Sequence, residues 1–401
     1  MEQSWFRPLA ATALTALALG AAGCGKSSKE AVKAPEFPTV GAKGEKKQAA
    51  AELGFPVFAT KNTTRVGGAD PIADAAATAR AVFPAVTPAT RPKVVALVDA
   101  RDWRTAIAAG ALMADPIRAP MLLSDGRKLP EASRTALATL RPLGSQPAGD
   151  AQVIRVGDVA RPTGLRTTDI AGKDVFAVAR ALDAFQAAAH GTTSDRVLVV
   201  SADDPKYSMP AAAWAAKSGD PILFTHRDQL PPDTRAAIAS HQQPKIYVLG
   251  PKKAVSGKVE RDLRKLGTVK RIQGPDPTRN AIAFSRYLDG DFGWGVTDPG
   301  HGLVFVNAKR PSDAVASAPL SSTGKYGPIL LHDGKPQLPG PLAGFLQDIR
   351  PGYRRDPVRG VYNHGWLIGD EAAVPVAAQS QIDSLLEIAQ IDLDAKTTDS
   401  P

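Results

Sequence analysis

One block of sequence occurs three times in this chain of 401 residues, and no other feature constrains the fold as strongly. Each copy opens with a Gly-x-Asp tripeptide before an amphipathic stretch, at residues 68–70, 172–174 and 274–276. An aspartate caps the free amide groups of a first helical turn, and proline fits the first helical position, where Pro71 and Pro277 stand. Three such helix starts at matching places predict three copies of one structural unit.

Each copy then carries three short strand patterns in the same order. The first is a continuous apolar run: "VVALVDA" from Val94, "VLVVSA" from Val197 and "LVFVNA" from Leu303. The second is entered through a proline and followed by Leu-Pro, and the third ends in a glycine. Unbroken β-branched runs are typical of parallel strands that are covered on both faces. The order of patterns predicts an α/β fold of three tandem Rossmann-like repeats with small parallel sheets and right-handed crossovers.

These patterns also divide the chain into segments. We expect the repeats at residues 55–165, 166–273 and 274–390, a flexible polar linker at 25–54, and a disordered tail at 391–401. The helix that opens the third repeat is expected to bury a stripe running from Ile282 through Leu288 to Phe292.

The first 24 residues have the pattern of an export signal. Arg7 precedes an apolar run at residues 9–19, and small residues lead to Cys24, which is the sole cysteine of the chain. The ending "AAGC" resembles the bacterial lipobox, which implies that the Cys24 thiol is lipidated and anchors the protein to the outer face of the cell membrane. An ordinary secretory signal with a chance cysteine is the alternative. One cysteine cannot form an intrachain disulfide.

The order of the repeated motifs resembles the cell wall binding repeat of type 2, found in bacterial surface proteins. The residues that carry the resemblance are the Arg-x-x-Gly motifs at Arg65 and Arg271, Asp313-Ala314, and the run "APMLL" from Ala119. In the second copy Asp169 stands where the motif has arginine. The resemblance implies a triangular, pseudo-threefold assembly of three Rossmann-like lobes. It also implies that the protein binds an anionic cell-wall polymer non-covalently.

The sequence contains no recognisable catalytic set. It has no G-x-S-x-G, H-E-x-x-H, P-loop or G-x-G-x-x-G motif, and its six histidines are scattered. Asp203-Asp204 is best interpreted as a solvated loop, and His332-Asp333 as a chance pair. We therefore predict that the protein is not an enzyme and has no cofactor and no metal site.

Basic residues follow the first strand of every copy. The formal net charge is +9, which favours anionic partners. In parallel sheets ligands bind beyond the carboxyl ends of the strands, and guanidinium groups bind phosphate or carboxylate in a bidentate manner. The candidate polymer-binding residues are Arg101, Arg104, Lys206, Lys309 and Arg310. The alternative is that these residues are ordinary solubilising charges.

These observations predict a membrane-anchored, extracytoplasmic protein that binds an anionic wall polymer or peptidoglycan. Nucleic acid is not an expected partner, because the chain carries an export signal and its basic loops lack interleaved aromatic residues. Two alternatives are a solute-binding lipoprotein of a transporter and an accessory factor or hydrolase acting on peptidoglycan. The high Ala, Arg and Pro content suggests an actinobacterial source.

Overall fold

The computed structural model describes residues 58–322 and 326–390. The predicted export signal with Cys24, the linker at 25–54 and the tail at 391–401 lie outside the described residues.

The described residues form short strands and helices that alternate along the chain. The strands are β1 (Phe58–Ala59), β2 (Thr63–Val66), β3 (Val95–Asp99), β4 (Met121–Ser124), β5 (Val153–Val156), β6 (Thr167–Ile170), β7 (Arg196–Ser201), β8 (Ile222–Thr225), β9 (Lys245–Leu249), β10 (Thr268–Ile272), β11 (Leu288–Asp289), β12 (Phe292–Gly293), β13 (Gly302–Asn307), β14 (Tyr326–His332), β15 (Gly352–Tyr353), β16 (His364–Ile368) and β17 (Ala389–Gln390). The helices are α1 (Pro71–Val82), α2 (Trp103–Ala108), α3 (Glu131–Leu140), α4 (Val175–His190), α5 (Pro205–Ser218), α6 (Pro232–Ser240), α7 (Gly257–Leu263), α8 (Pro277–Arg286), α9 (Pro311–Ser317), α10 (Gly340–Asp348) and α11 (Val376–Leu386).

Three larger sheets share one strand order. Sheet I is β4-β3-β5-β6, sheet II is β8-β7-β9-β10, and sheet III is β14-β13-β16-β2-β1. Every neighbouring pair in these sheets is parallel except the short β1–β2 pair. The predicted α/β class with small parallel sheets and threefold repetition is therefore confirmed.

The fourth strand of each sheet comes from the stretch that precedes the next Gly-x-Asp motif. Strand β6 joins sheet I and β10 joins sheet II in this way. In sheet III the fourth strand is β2, which precedes the first motif, so the beginning of the described chain completes the last sheet. The third sheet is thereby closed by residues from the opposite end of the repeat array.

The predicted helix starts are confirmed at all three motifs. Asp70, Asp174 and Asp276 are the N-cap residues of α1, α4 and α8, and each carboxylate accepts backbone amide hydrogens of the first turn. These bonds satisfy donors that the first turn of a helix leaves without an intrahelical partner.

The predicted apolar stripe of the third opening helix is wrong beyond Arg286. Helix α8 ends there, and the chain turns into the hairpin β11–β12, which leaves Leu288 63% exposed. Gly290 (φ +61°) and Gly293 (φ +103°) allow this turn, because glycine has no Cβ to disfavour positive φ. Phe292 is buried in the hairpin and stacks on Tyr247 with ring centroids 3.5 Å apart.

Three helices pack on one another at the centre of the repeats. They are α2, α5 and α9, and each follows the most central apolar strand of its sheet. Their contact faces are rich in alanine, including the fully buried Ala106, Ala212 and Ala316. A Cβ at Gly110, in the helical turn that follows α2, would lie 3.2 Å from the Ala212 carbonyl oxygen, so the backbone of this turn approaches that of α5 closely. Small side chains thus bring the three helices together.

A buried arginine ties each sheet to the loop that follows its third strand. In sheet III, Arg65 on β2 donates to the carbonyls of Gly369, Asp370 and Val374 and to the Gln379 side chain on α11. In sheet II, Arg271 on β10 donates to the carbonyls of Gly250 and Val255 and to Glu260 on α7. The arginine of the Arg-x-x-Gly motif therefore has a structural role.

Sheet I makes the same connection with an arginine from the neighbouring strand. Arg155 on β5 donates to the carbonyls of Val159 and Ala160, and its remaining nitrogen pairs with Asp169 on β6. Asp169 is the residue that replaces the motif arginine in the sequence, and the structure shows that Arg155 supplies the missing guanidinium.

Candidate functional site

The predicted cations lie around the amino-terminal ends of the three central helices. Each of these helices begins within a few residues of the carboxyl end of a central strand, β3, β7 or β13. Asp102 and Asp204 cap α2 and α5 through backbone amides of their first turns. The loops that carry the cations are thus held at one edge of each sheet.

Side-chain hydrogen bonds link these loops to one another. Arg104 Nε donates to the carbonyl oxygen of Ala202, the first residue after β7, over 2.6 Å. Ser312 at the second position of α9 donates to the carbonyl of Ala100, the first residue after β3, over 2.8 Å. The loop of sheet I therefore contacts the loops of sheets II and III. The sequence named these basic residues as candidates, and the structure brings the loops that carry them into contact.

Arg101 is exposed but ion-paired. Its guanidinium contacts Asp99 at 2.8 Å and Asp125 at 3.5 Å, and its side chain is 66% exposed. Hydrogen bonding to Asp99 raises the pKa of the Arg101 guanidinium. A polyanion that binds Arg101 would compete with two carboxylates for it.

Among the predicted polymer-binding residues, Lys206 and Lys309 have ammonium groups that pair with no other residue the structure describes. Both are exposed, and neither side chain has a hydrogen bond or ion pair with another residue in 58–322 or 326–390. Their backbone amides donate to Asp204 and Asn307, which fixes the start of each loop while leaving the ammonium groups in solvent.

Arg310 is held in a buried ion-pair cluster. Its guanidinium contacts Asp74 on α1 at 2.6 Å and Asp313 on α9 at 2.7 Å, and both carboxylates are fully buried. Burial raises the pKa of Asp313 to about 6, against the opposing effect of Arg310. Burial, together with repulsion from Asp313, raises the pKa of Asp74 well above its ordinary value. Arg310 thus joins the first helix to the third central helix.

A shallow cleft of about 470 Å³ lies where the loops of sheets I and II meet. It is lined by Arg101, Asp102, Arg104, Val175, Phe176, Ala202 and His226. The Arg104 guanidinium lies over the Trp103 ring at 4.5 Å, and the Phe176 and His226 rings meet edge to face at 5.1 Å. The cleft combines cationic and aromatic groups, which suits an anionic ligand with some apolar surface.

Sequence reasoning did not identify Phe176 or His226 as neighbours of the cations. Phe176 is the second residue of α4 and is only partly buried, and His226 follows β8, where its Nδ1 lies 2.8 Å from an Asp203 oxygen. Asp203 also accepts from the Arg227 amide. Their proximity depends on how sheet II sits against α2, which no local pattern reports.

Two further features of the described residues concern metal binding and membrane spanning. Within 58–322 and 326–390, no three His, Cys, Asp or Glu residues are placed to hold a metal ion together. Over the same residues, no helix has both the length and the apolar character that crossing a bilayer requires.

Comparison with known proteins gives a family match and a curated relative. The family model described as "Cell wall binding domain 2 (CWB2)" matches residues 169–260. "Amidase enhancer" of Bacillus subtilis (strain 168) is 31% identical over 143 residues, which are 36% of this chain and 19% of that protein. The match thus spans about a fifth of the length of this relative.

Two solved structures share the fold. Cwp6 from Clostridium difficile has a TM-score of 0.66 at 17% identity, covering 81% of this chain and 48% of that one. Cwp8 from the same organism has a TM-score of 0.61 at 18% identity, covering 82% and 52%. The resemblance drawn from the repeated motifs is therefore confirmed by the match of residues 169–260 to the model of cell wall binding domain 2.

Proposed function

We propose that this chain is an exported lipoprotein, anchored to the outer face of the cell membrane by lipid on Cys24, that binds an anionic cell-wall polymer without being an enzyme. Its cell-wall-associated function is supported by the family match at residues 169–260. The proposed polymer-binding units are the repeats at 55–165, 166–273 and 274–390.

One observation supports the proposal: α2, α5 and α9 pack on one another, and the loops before them, which carry the predicted cations, are joined by side-chain hydrogen bonds. Lys206 and Lys309 are exposed and without ion-pair partners among the described residues, and Arg101 is exposed beside its two carboxylates. Each contact with a phosphate or carboxylate in solvent is weak, but contacts from one rigid scaffold add through effective concentration. A repetitive polyanion is the ligand that such an arrangement suits.

The test is sedimentation of the purified protein with isolated cell walls over a range of salt concentrations. We expect binding that weakens as salt rises, since exposed charge pairs are screened. Walls stripped of their secondary anionic polymers should bind much less than intact walls. Equal binding to stripped walls would assign the protein to peptidoglycan itself.

A matched pair of triple variants tests the cation loops. The test variant is Arg101→Ala, Lys206→Ala, Lys309→Ala. The control is Lys93→Ala, Lys245→Ala, Lys265→Ala, which removes the same charge from positions before β3, at the start of β9 and before β10. We expect the test variant to lose about tenfold in affinity and the control variant to change little. Equal losses in the two would show a net-charge effect and contradict the assignment of these loops.

A second candidate, an accessory factor for a wall amidase, is favoured by the name of the Bacillus subtilis relative. It predicts that adding this protein raises the rate at which a purified amidase releases material from walls. Wall clearing by this protein alone would instead contradict the non-enzyme assignment.

A further inference from the structure

The three sheets differ in the segment that lies beside their fourth strand, which is a helix in two of them and a loop in the other. In sheet II the connection from β9 to β10 contains helix α7, and in sheet III helix α11 follows β16. In sheet I the connection from β5 to β6, residues 157–166, contains no helix. One of the three units thus lacks a helix that the other two possess.

Helices α7 and α11 each bury apolar side chains beside their sheet. Helix α7 buries Val259 and Leu263 completely, and α11 buries Ala378, Ile382 and Leu386 to 1% exposure or less. In sheet I, Val159 and Ala160 are buried at the start of the connection, but Leu165 near its end is only partly covered. The connection therefore covers the sheet near Val159 and Ala160 but leaves the region near Leu165 partly exposed.

A groove lies between α3 and this helix-free connection, whereas in sheet III the corresponding helices α10 and α11 pack against each other. Its volume is about 580 Å³, larger than the cleft beside the predicted cations. The apolar residues that line it come from both sides of the empty position, α3 with its flanks and the connection before β6: Leu129, Leu137, Pro142, Leu143, Pro162 and Leu165. Leu143 is 47% exposed and contributes apolar surface to this lining.

The rim of this groove is basic. Arg91, Arg134 and Arg141 line it, and the buried Nε of Arg91 has no hydrogen-bond partner. Arg134 pairs with Glu131 at the surface, and Arg141 donates to the Ala85 carbonyl. An apolar floor with a basic rim matches an amphipathic helix whose flanks are acidic.

We propose that this groove binds an acidic amphipathic helix of another protein, in the position that α7 and α11 occupy on the other two sheets. Helix α11 shows the required chemistry within this chain, because it presents Ile382 and Leu386 to sheet III and carries Asp383 without any lysine or arginine. Sheet I would then gain from a partner the cover that the other sheets gain from their own sequence. This inference is independent of polymer binding, which concerns a different surface.

The test uses the full chain and a fluorescein-labelled peptide with the sequence of residues 373–390. We expect saturable binding with a dissociation constant on the order of 10–100 µM, since a short helix must fold as it binds. Two altered peptides serve as comparisons. One carries Ile382→Ser with Leu386→Ser and the other Asp383→Lys with Glu387→Lys, and each should bind about tenfold more weakly.

Protein variants locate the binding site. Leu143→Asp and Arg134→Glu alter exposed positions in the groove and should each weaken binding without changing the melting temperature. The matched control is Arg235→Glu on α6. Arg235 on α6 corresponds to Arg134 on α3, because each stands two residues before a buried pair in its helix. Helix α6 belongs to sheet II, where the connection between β9 and β10 contains α7. This control should bind the peptide as the unaltered protein does.

Three results would overturn the proposal. They are no binding of the acidic peptide at 1 mM, equal binding by the Leu143→Asp variant, and equal binding of the charge-reversed peptide. Binding of anionic lipid vesicles that is lost in Leu143→Asp, without binding of the peptide, would assign the groove to a membrane surface instead.

Discussion

The guanidinium of Arg155 on β5 and the carboxylate of Asp169 on β6 face each other across adjacent strands, with 2.8 Å between nitrogen and oxygen. In sheets II and III the arginine is on the other strand of the pair, with Arg271 opposite Val248 and Arg65 opposite Leu367. The loop carbonyls are bound by a guanidinium in all three sheets. In sheet I the guanidinium comes from β5, the third strand, instead of the fourth. Its side-chain partner is Asp169 on the adjacent strand, whereas in sheets II and III the arginine pairs with Glu260 and Gln379, which lie on helices.

The first prediction concerns this exchange. Asp169→Ala leaves the Arg155 guanidinium largely buried without its carboxylate, and we expect a loss of about 1–2 kcal/mol in the free energy of unfolding. Urea denaturation measures it. The control Asp158→Ala breaks an exposed pair with Arg127 and should leave the urea midpoint unchanged.

A double variant tests the same point in the opposite direction. Arg155→Val with Asp169→Arg rebuilds in sheet I the strand arrangement seen in sheets II and III. We expect it to be more stable than Arg155→Val alone, because the new guanidinium can reach the carbonyls of Val159 and Ala160. A double variant less stable than that single variant would show that the exchange is not equivalent.

The second prediction separates two members of the cation set. Arg310→Ala removes the guanidinium between the buried Asp74 and Asp313 and should lower the free energy of unfolding by about 3 kcal/mol. Lys206→Ala should leave the denaturation midpoint unchanged but weaken sedimentation with cell walls. If Arg310→Ala unfolds at the wild-type urea concentration, the cluster does not stabilise the fold.

The third prediction is a dependence of stability on pH. The folded pKa of Asp313 is raised to about 6 from 3.8, so between these values the folded state binds more protons than the unfolded state. This contribution is fully present below pH 3.8 and is lost as pH rises through about 6. Asp74 acts in the same direction. Differential scanning calorimetry should show that, relative to an Asp313→Asn variant, the unaltered protein gains about 2–4 °C in melting temperature at pH 5 compared with pH 7.5.

Asp313→Asn is the variant for that measurement. It cannot ionise, so it should lack the gain in stability towards pH 5 that Asp313 provides. His332 acts in the opposite direction over an overlapping range, because burial lowers its folded pKa to about 4 from 6.5. Its stabilising contribution is present above pH 6.5 and is lost as pH falls through about 4. Because His332 is present in both proteins, its contribution cancels when the variant is compared with the unaltered protein. An unchanged pH profile in Asp313→Asn would place the titrating group elsewhere.

The fourth prediction concerns the strand that closes sheet III. Thr64 is on β2, between β1 and β16, so proline there removes an amide donor from the interior of a sheet. We expect Thr64→Pro to cost about 3 kcal/mol in the free energy of unfolding. Ala59→Pro on the edge strand β1 is the control and should have a much smaller effect. Similar losses in the two variants would mean that β2 does not hold sheet III together.

The repeated local patterns predicted the central strands and the helix starts, because both are determined by residues close together in sequence. They did not predict the fourth strands. Strand β6 reads Thr-Thr-Asp-Ile and β10 begins Thr-Val-Lys-Arg, and neither has the apolar run that indicated the other strands. Helices α7 and α11 were missed because each follows a glycine-ended strand that marked the end of the pattern.

The candidate site was predicted in part for the same reason. Cations after the central strands could be identified because strand ends are local features. The ion pair of Arg310 with Asp74 could not, since 236 residues separate them. The aromatic side of the cleft, Phe176 with His226, likewise depends on which helix lies against which sheet. The sequence thus indicated where charge is concentrated but not which charges are already neutralised.

The pairing of β2 with β16 affects the order in which this chain can fold. Thr64 bonds to His364 across 300 residues of sequence, while sheets I and II draw on strands much nearer to one another. A chain that leaves a translocation pore from its amino terminus can complete sheets I and II as they emerge. Sheet III has to wait for almost the whole length, with β2 exposed as an unpaired template during that time. Protection of this early strand should therefore affect the yield of native protein.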